Sequence, residues 1–180
     1  MKTNTVSKLR MSLQEIRNSI DIKKRDWINM DTTNCYAYAL GLDIPQSEIC
    51  DFAYVPGVIS NSNKIIPPHK IFSYDTLLNN IYLDLNTLGI DFREIDPLDD
   101  ISMEEWKIAL FVTKVYSDKG YVGLEDFHFL RQLRDGFWYH KGGYNGTITR
   151  LDSYSDEIVD PQECILENRT YKKCLSLRLK

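Results

Sequence analysis

Cys35, His128 and His140 are the side chains that together could run nucleophilic catalysis. A cysteine attacks as its thiolate, and a helix N-terminus favours the thiolate because unpaired N–H groups and the helix dipole stabilise negative charge. Cys35 falls in such a place. Thr32, Thr33 and Asn34 are each suited to cap a helix, Asn34 to Leu40 reads as a short helix, and Gly41 is a natural stop. Ala37 and Ala39 are small enough for that helix to pack tightly into the centre of a fold. By helix position alone, Cys35 reads more simply as a small buried residue. The histidines alter that balance.

The sequence has three histidines, His69, His128 and His140. His69 lies in the loop-like Pro67-Pro68-His69-Lys70 and is given no role. His128 and His140 are twelve residues apart, on two predicted strands that flank Arg134-Asp135-Gly136. A two-residue turn would set position 131 opposite 140 and put the two histidines on opposite faces. A three-residue loop with Gly136 in the left-handed conformation sets 130 opposite 140 and 128 opposite 142. Both histidines then share a face, one diagonal step apart, with Gly142 leaving space beside His128. A base histidine oriented by a third polar group is what a Cys-His enzyme requires. The plainer alternative is two unrelated sheet histidines, each satisfied by its own hydrogen bond.

Three segments, Asn34-Cys35-Tyr36-Ala37-Tyr38-Ala39-Leu40, Asp126-Phe127-His128-Phe129-Leu130-Arg131-Gln132 and Gly136-Phe137-Trp138-Tyr139-His140-Lys141, resemble the layout of NlpC-type papain-like cysteine peptidases. The resemblance runs from about Trp27 to Gly143, and the Asp-Cys-Ser frequent in cell-wall members is here Asn-Cys-Tyr. It implies Cys35 as nucleophile, His128 as general base and acid, His140 as its orienter, and the Cys35 N–H as an oxyanion donor. It also implies a second oxyanion donor, for which Asn29, six residues before Cys35, and Asn34 are the candidates; each reads equally as a cap or turn asparagine. Tyr36, Gln132, Trp138 and Gly142 are candidates to line the cleft, although Gln132 reads more simply as a solvated strand position and Trp138 as core. Asp126 points with His128 and reads equally as a solvated carboxylate.

These residues need elements to hold them. Leu9, Leu13, Ile16 and Ile20 form a helical stripe over residues 7–20, a docking arm or pro-segment. Residues 44–70 are rich in Pro, Ser, Asn and Gly and predict a long loop bordering the cleft. Residues 73–88 predict a helix. Strands are predicted at 90–95, 106–116, 127–133, 137–141, 147–151 and 174–179. Helices early and an antiparallel sheet late give an α+β fold, and the resemblance makes it papain-like, with the nucleophile helix packed on the sheet. The expected organisation is one domain over 1–180: a helical arm to residue 26, a catalytic core over 27–145, and a C-terminal extension with a strand over 146–180.

With 43% hydrophobic and 12% aromatic residues, the chain of 180 residues can build a packed core. A net charge of −4 and dispersed Lys and Arg argue against nucleic-acid binding. No stretch has the length and apolarity of a membrane span, and residues 1–20 lack the apolar core of a secretory signal, so a cytoplasmic location is expected. Cys35, Cys50, Cys164 and Cys174 form no CxxC pair, so neither a zinc site nor a cofactor is expected, and the last three read as incidental thiols. The expected function is a thiol hydrolase that cleaves an amide bond in a peptide, a protein or a peptidoglycan stem peptide through an acyl-enzyme. The alternatives are acyl transfer or deamidation at the same site, or a non-catalytic interaction protein on the same scaffold.

Overall fold

The computed structural model describes residues 11–22, 33–42, 44, 54–60, 66 and 70–180. Its elements are α1 (Leu13–Asn18), α2 (Cys35–Leu40), α3 (Tyr74–Thr87), β1 (Ile90–Ile95), β2 (Glu105–Ser117), β3 (Gly120–Gln132), β4 (Trp138–Lys141), β5 (Ile148–Thr149) and β6 (Arg169–Leu179). The strands form one six-stranded sheet in the order β1-β6-β2-β3-β4-β5, every pairing antiparallel. The fold is therefore α+β. None of the described helices is long and apolar enough to cross a membrane.

The sheet buries both faces. Ile108, Leu110, Val112 and Phe129 pack with α2, α3 and Ile16 of α1. Ala109, Phe111, Leu130 and Trp138 pack on the other face with Ile158, Leu166 and Cys174. The odd and even positions of β2 and β3 thus go to different cores, as the two-residue period of a strand requires. Ile16 is fully buried and Ile20 bridges to Leu42, so the described part of the predicted arm is part of the core.

Two strands are longer than expected. β3 begins at Gly120, because β2 and β3 are the arms of one long hairpin that closes at Ser117–Gly120. Its outer residues, Gly120 to Val122, are exposed and held by pairing rather than burial, so hydrophobic alternation does not mark them. β6 begins at Arg169 and lies inside the sheet between β1 and β2. The segment expected as a C-terminal extension therefore supplies an interior strand.

Candidate active site

Helix α2 is short and depends on its ends. Asn34 caps it, its side-chain oxygen accepting the N–H groups of Tyr36 at 3.1 Å and Ala37 at 3.2 Å. Gly41, at φ 75°, closes it in the left-handed conformation while the Leu42 N–H donates back to the Ala37 carbonyl. A Cβ there would come within 3.2 Å of the Asp21 carbonyl, so glycine is also what the neighbouring chain admits. The helix is pinned to the sheet at its C-terminal carbonyls. Trp106 Nε1 donates to Ala39 O, and the buried Arg131 guanidinium donates to Tyr38 O, each at 3.1 Å. A cation at that end complements the dipole whose positive end faces Cys35.

The hairpin register is the one the three-residue loop requires. Leu130 pairs with His140, and Gly136 sits at φ 87°. His128 and His140 consequently share a face. Their rings meet edge-on, with His128 Nε2 2.9 Å from His140 Nδ1. The second nitrogen of His140, Nε2, lies 3.0 Å from the Leu151 carbonyl. A carbonyl only accepts, so His140 Nε2 carries a proton and its Nδ1, in the neutral ring, accepts. His128 Nε2 must then donate, which leaves His128 Nδ1 as a lone pair able to take a proton.

Cys35 is nearly fully buried, on the opposite side of β3 from that pair. Phe129 and Arg131 face α2, with the Tyr36 and Phe129 rings 5.0 Å apart. His128 and Leu130 face the other core. The thiol reaches the strand at its backbone, where the Phe129 N–H approaches the sulfur. That amide points towards β4, as the Leu133 N–H does when it donates to Phe137 O at 3.0 Å. The β3–β4 ladder ends at Leu130↔His140. Cys35 and His128 therefore approach, from opposite faces, the place where the seam between the two strands opens. Among the described residues no hydrogen bond joins Cys35 Sγ to His128. Side-chain alternation is the reason: a helix lying on the Phe129 face can meet His128 only past the end of the ladder.

Burial sets the charge state. It pushes the Cys35 thiol up to about 12, against the approach of the Phe129 and Tyr36 amides. It also holds His128 well below the ordinary histidine range, helped by His140 and the Arg169 guanidinium. His140 is lowered by burial as well. At neutral pH the thiol is therefore protonated and both imidazoles are neutral.

A cavity of about 720 Å³ lies beside the site. Its wall includes Asn34, the strand residues Asp126 and Phe127 that precede His128, and Arg169, whose guanidinium pairs with Asp126 at 3.1 Å. Val55, Ile66 and Lys70, from the described part of the 44–70 segment, also line it. Tyr144 completes one side and ties the parts together: its hydroxyl accepts the Tyr54 N–H at 2.9 Å, and the Tyr54 carbonyl accepts Asn34 Nδ2 at 2.6 Å. The buried Lys141, next to His140, donates to the carbonyls of Gly143 at 2.5 Å and Tyr144 at 2.7 Å. The end of β4 is thereby fastened to the cap of the cysteine helix.

Several expected site residues are placed elsewhere. Tyr36 is fully buried, its hydroxyl donating to Asp84 Oδ2 at 3.0 Å, so it is a core anchor and not a cleft wall. Trp138 is fully buried in the far core. Gln132 donates to Gly136 O at 2.9 Å and lines a separate cavity of about 570 Å³ with Leu98, Met103 and Trp106. Gly142 is exposed beyond the β4 ladder. Asn34 caps the helix with its side-chain oxygen, and its amide nitrogen donates one of two hydrogens to the Tyr54 carbonyl. Asn29, like Cys50 and His69, lies outside the described residues. Sequence reasoning missed Tyr54, Tyr144, Lys141 and Arg169. None of them belongs to a recognisable spacing, and a buried lysine ending an apolar strand was the one available signal. No family model, curated protein or solved structure matches the chain.

Proposed function

We propose that this protein is a papain-like thiol hydrolase that cleaves an amide bond in a peptide, a protein or a peptidoglycan stem peptide. The observation that carries this reading is the His128–His140–Leu151 relay, which leaves the outer nitrogen of His128 unprotonated next to the strand residue that the thiol touches. When a substrate enters the cavity, the site opens and solvation of Cys35 lowers its pKa. His128 Nδ1 takes the S–H proton as sulfur attacks the amide carbon. The oxyanion forms by the Cys35 N–H, which the Asn34 cap leaves unengaged while it holds those of Tyr36 and Ala37. His128 returns the proton to the leaving amine, giving a thioester. Water, deprotonated by His128, then releases the acid and restores the thiol.

The burial of both groups favours a second reading, a non-catalytic binding protein on the same scaffold. An epoxysuccinyl peptide probe separates the two. The hydrolase reading expects Cys35 to be alkylated by it at mildly acidic pH, before Cys50, Cys164 and Cys174, with the reaction lost in His128→Ala. Labelling of Cys35 only above the free-thiol range of about 8.5, and unchanged in His128→Ala, would establish the binding reading.

A further inference from the structure

A further concavity, of about 330 Å³, lies at the far end of the α2-bearing face, between the first turn of α3 and the outer half of the β2–β3 hairpin. It is lined by Tyr74, Tyr116, Tyr121 and Leu124 and by two lysines, Lys114 and Lys172. Lys172 is the extra residue of a bulge in β6. Leu110 pairs with Lys173 and Phe111 with Tyr171, so Lys172 has no ladder partner. A bulge re-aims a side chain, and this one sends the Lys172 ammonium to 5.9 Å from the Tyr74 ring centre and beside Lys114.

Two neighbouring ammoniums repel. The adjacent Lys173 is paired with Glu94 at 2.5 Å, and Arg178 and Lys180 both pair with Asp91. Among the described residues neither Lys114 nor Lys172 makes an ion pair. Partial burial, and then the Lys114 ammonium beside it, hold Lys172 below the ordinary lysine range. Around them, Tyr116 and Tyr121 are 63% and 53% exposed, their rings edge-to-face at 6.1 Å, while most other aromatic rings of the chain are covered. Paired cations favour a multiply charged oxyanion. Exposed tyrosine faces and Leu124 favour a flat apolar group attached to it. The volume is at the small end for a ligand pocket.

We propose that the Lys114–Lys172 concavity binds an aromatic phosphate monoester, the phosphate bridging the two ammoniums and the ring lying against Tyr116 and Tyr121. This site is independent of the cysteine chemistry. The test is titration of the full chain with phenyl phosphate and, separately, inorganic phosphate, followed by calorimetry and by the melting temperature. Phenyl phosphate should bind about tenfold or more tightly than inorganic phosphate, and Lys114→Gln and Lys172→Gln should each weaken it by about tenfold. Without ligand, Lys114→Gln should melt no lower than wild type, because the substitution removes a repulsion. Absence of saturable binding, equal affinity for the two anions, or variants that bind like wild type would overturn the proposal. So would a ligand-free Lys114→Gln variant that melts lower, since it would show that the Lys114 ammonium already has a partner.

Discussion

His128 Nε2 and His140 Nδ1 stand 2.9 Å apart on neighbouring strands, and the outer nitrogen of His140 stands 3.0 Å from the Leu151 carbonyl. The carbonyl at the end of this row fixes every proton in it. His140 acts as a spacer that passes the preference of a backbone oxygen on to the ring of His128. This gives His140 a definable task, orienting and fixing the tautomer of its partner, and it ranks the substitutions in the proposed enzyme.

Cys35→Ala and His128→Ala should each abolish hydrolysis nearly completely, on the order of 10⁴-fold, and the double variant should fall little further because the residues act as a unit. His140→Ala should cost about 10²-fold and leave measurable turnover, since it removes orientation and not the proton acceptor. Single-turnover rates on a peptide substrate check this. Wild-type rates in His140→Ala would show that another group orients His128.

Acid should weaken the fold through the same pair. Burial lowers both histidines below the ordinary 6.5, so between 6.5 and their depressed native values the unfolded chain binds more protons than the folded one. Their contribution is fully present above about pH 6.5 and is lost as the pH falls below it. Glu105, lowered to about 2 by the Ser102 amide and the Ser176 hydroxyl, loses its share only below its ordinary 4.5. Denaturant midpoints between about pH 7.5 and pH 5 should decline in wild type and flatten in a His128→Asn/His140→Asn variant. An equal decline in both proteins would remove the histidines from the account.

Asp84 should be the costliest surface-remote carboxylate to remove. Its oxygens accept the Tyr36 hydroxyl at 3.0 Å and the N–H groups of Gly57 and Ser60, each at 2.7 Å, joining α2, α3 and the turn at 56–60. Burial raises its pKa, and those donors oppose the shift. Asp84→Ala strands these donors, so a loss of about 2–4 kcal/mol in unfolding free energy is expected. Asp84→Asn, which keeps the acceptor oxygen, should lose less. Equal losses would mean that the hydrogen bonds are not what Asp84 contributes.

Sequence carried the parts governed by local rules. The cap and stop of α2 follow from Asn34 and Gly41, and the shared face of His128 and His140 follows from one glycine in a three-residue loop. It failed where packing decides. Tyr36 and Trp138, candidates for the cleft because they neighbour or share a face with the reactive residues, are both fully buried, Trp138 as the plainer core reading has it. The helix packs on the Phe129 side of β3, which no period in the sequence encodes, and that choice separates Cys35 from direct hydrogen bonding with His128. The place of β6 inside the sheet is likewise a long-range pairing, invisible in the local pattern of residues 169–179.

Tyr144 should control how far Cys35 is covered. The Tyr54 N–H donates to the Tyr144 hydroxyl, and the Tyr54 carbonyl holds Asn34, the cap that starts the cysteine helix. Lys141 fixes the backbone of Tyr144, and the hydroxyl is a link in this clasp that a conservative change can cut. Tyr144→Phe keeps the ring at the cavity wall and removes the hydroxyl that accepts the Tyr54 N–H. The turn at 54–60 is then held less firmly over the helix N-terminus. Burial is what raises the thiol to about 12, so exposure must bring its pKa down. Iodoacetamide should therefore alkylate Cys35 faster in Tyr144→Phe than in wild type, by about tenfold for each unit by which the thiol pKa falls towards its unperturbed value. The midpoint of the rate–pH curve should move down, while Cys164 and Cys174, remote from the clasp, react as before. An unchanged midpoint would show that Tyr144 does not hold the cover. A shift that persists unaltered in Tyr144→Phe/His128→Ala would keep the clasp but deny His128 its part in activating the thiol.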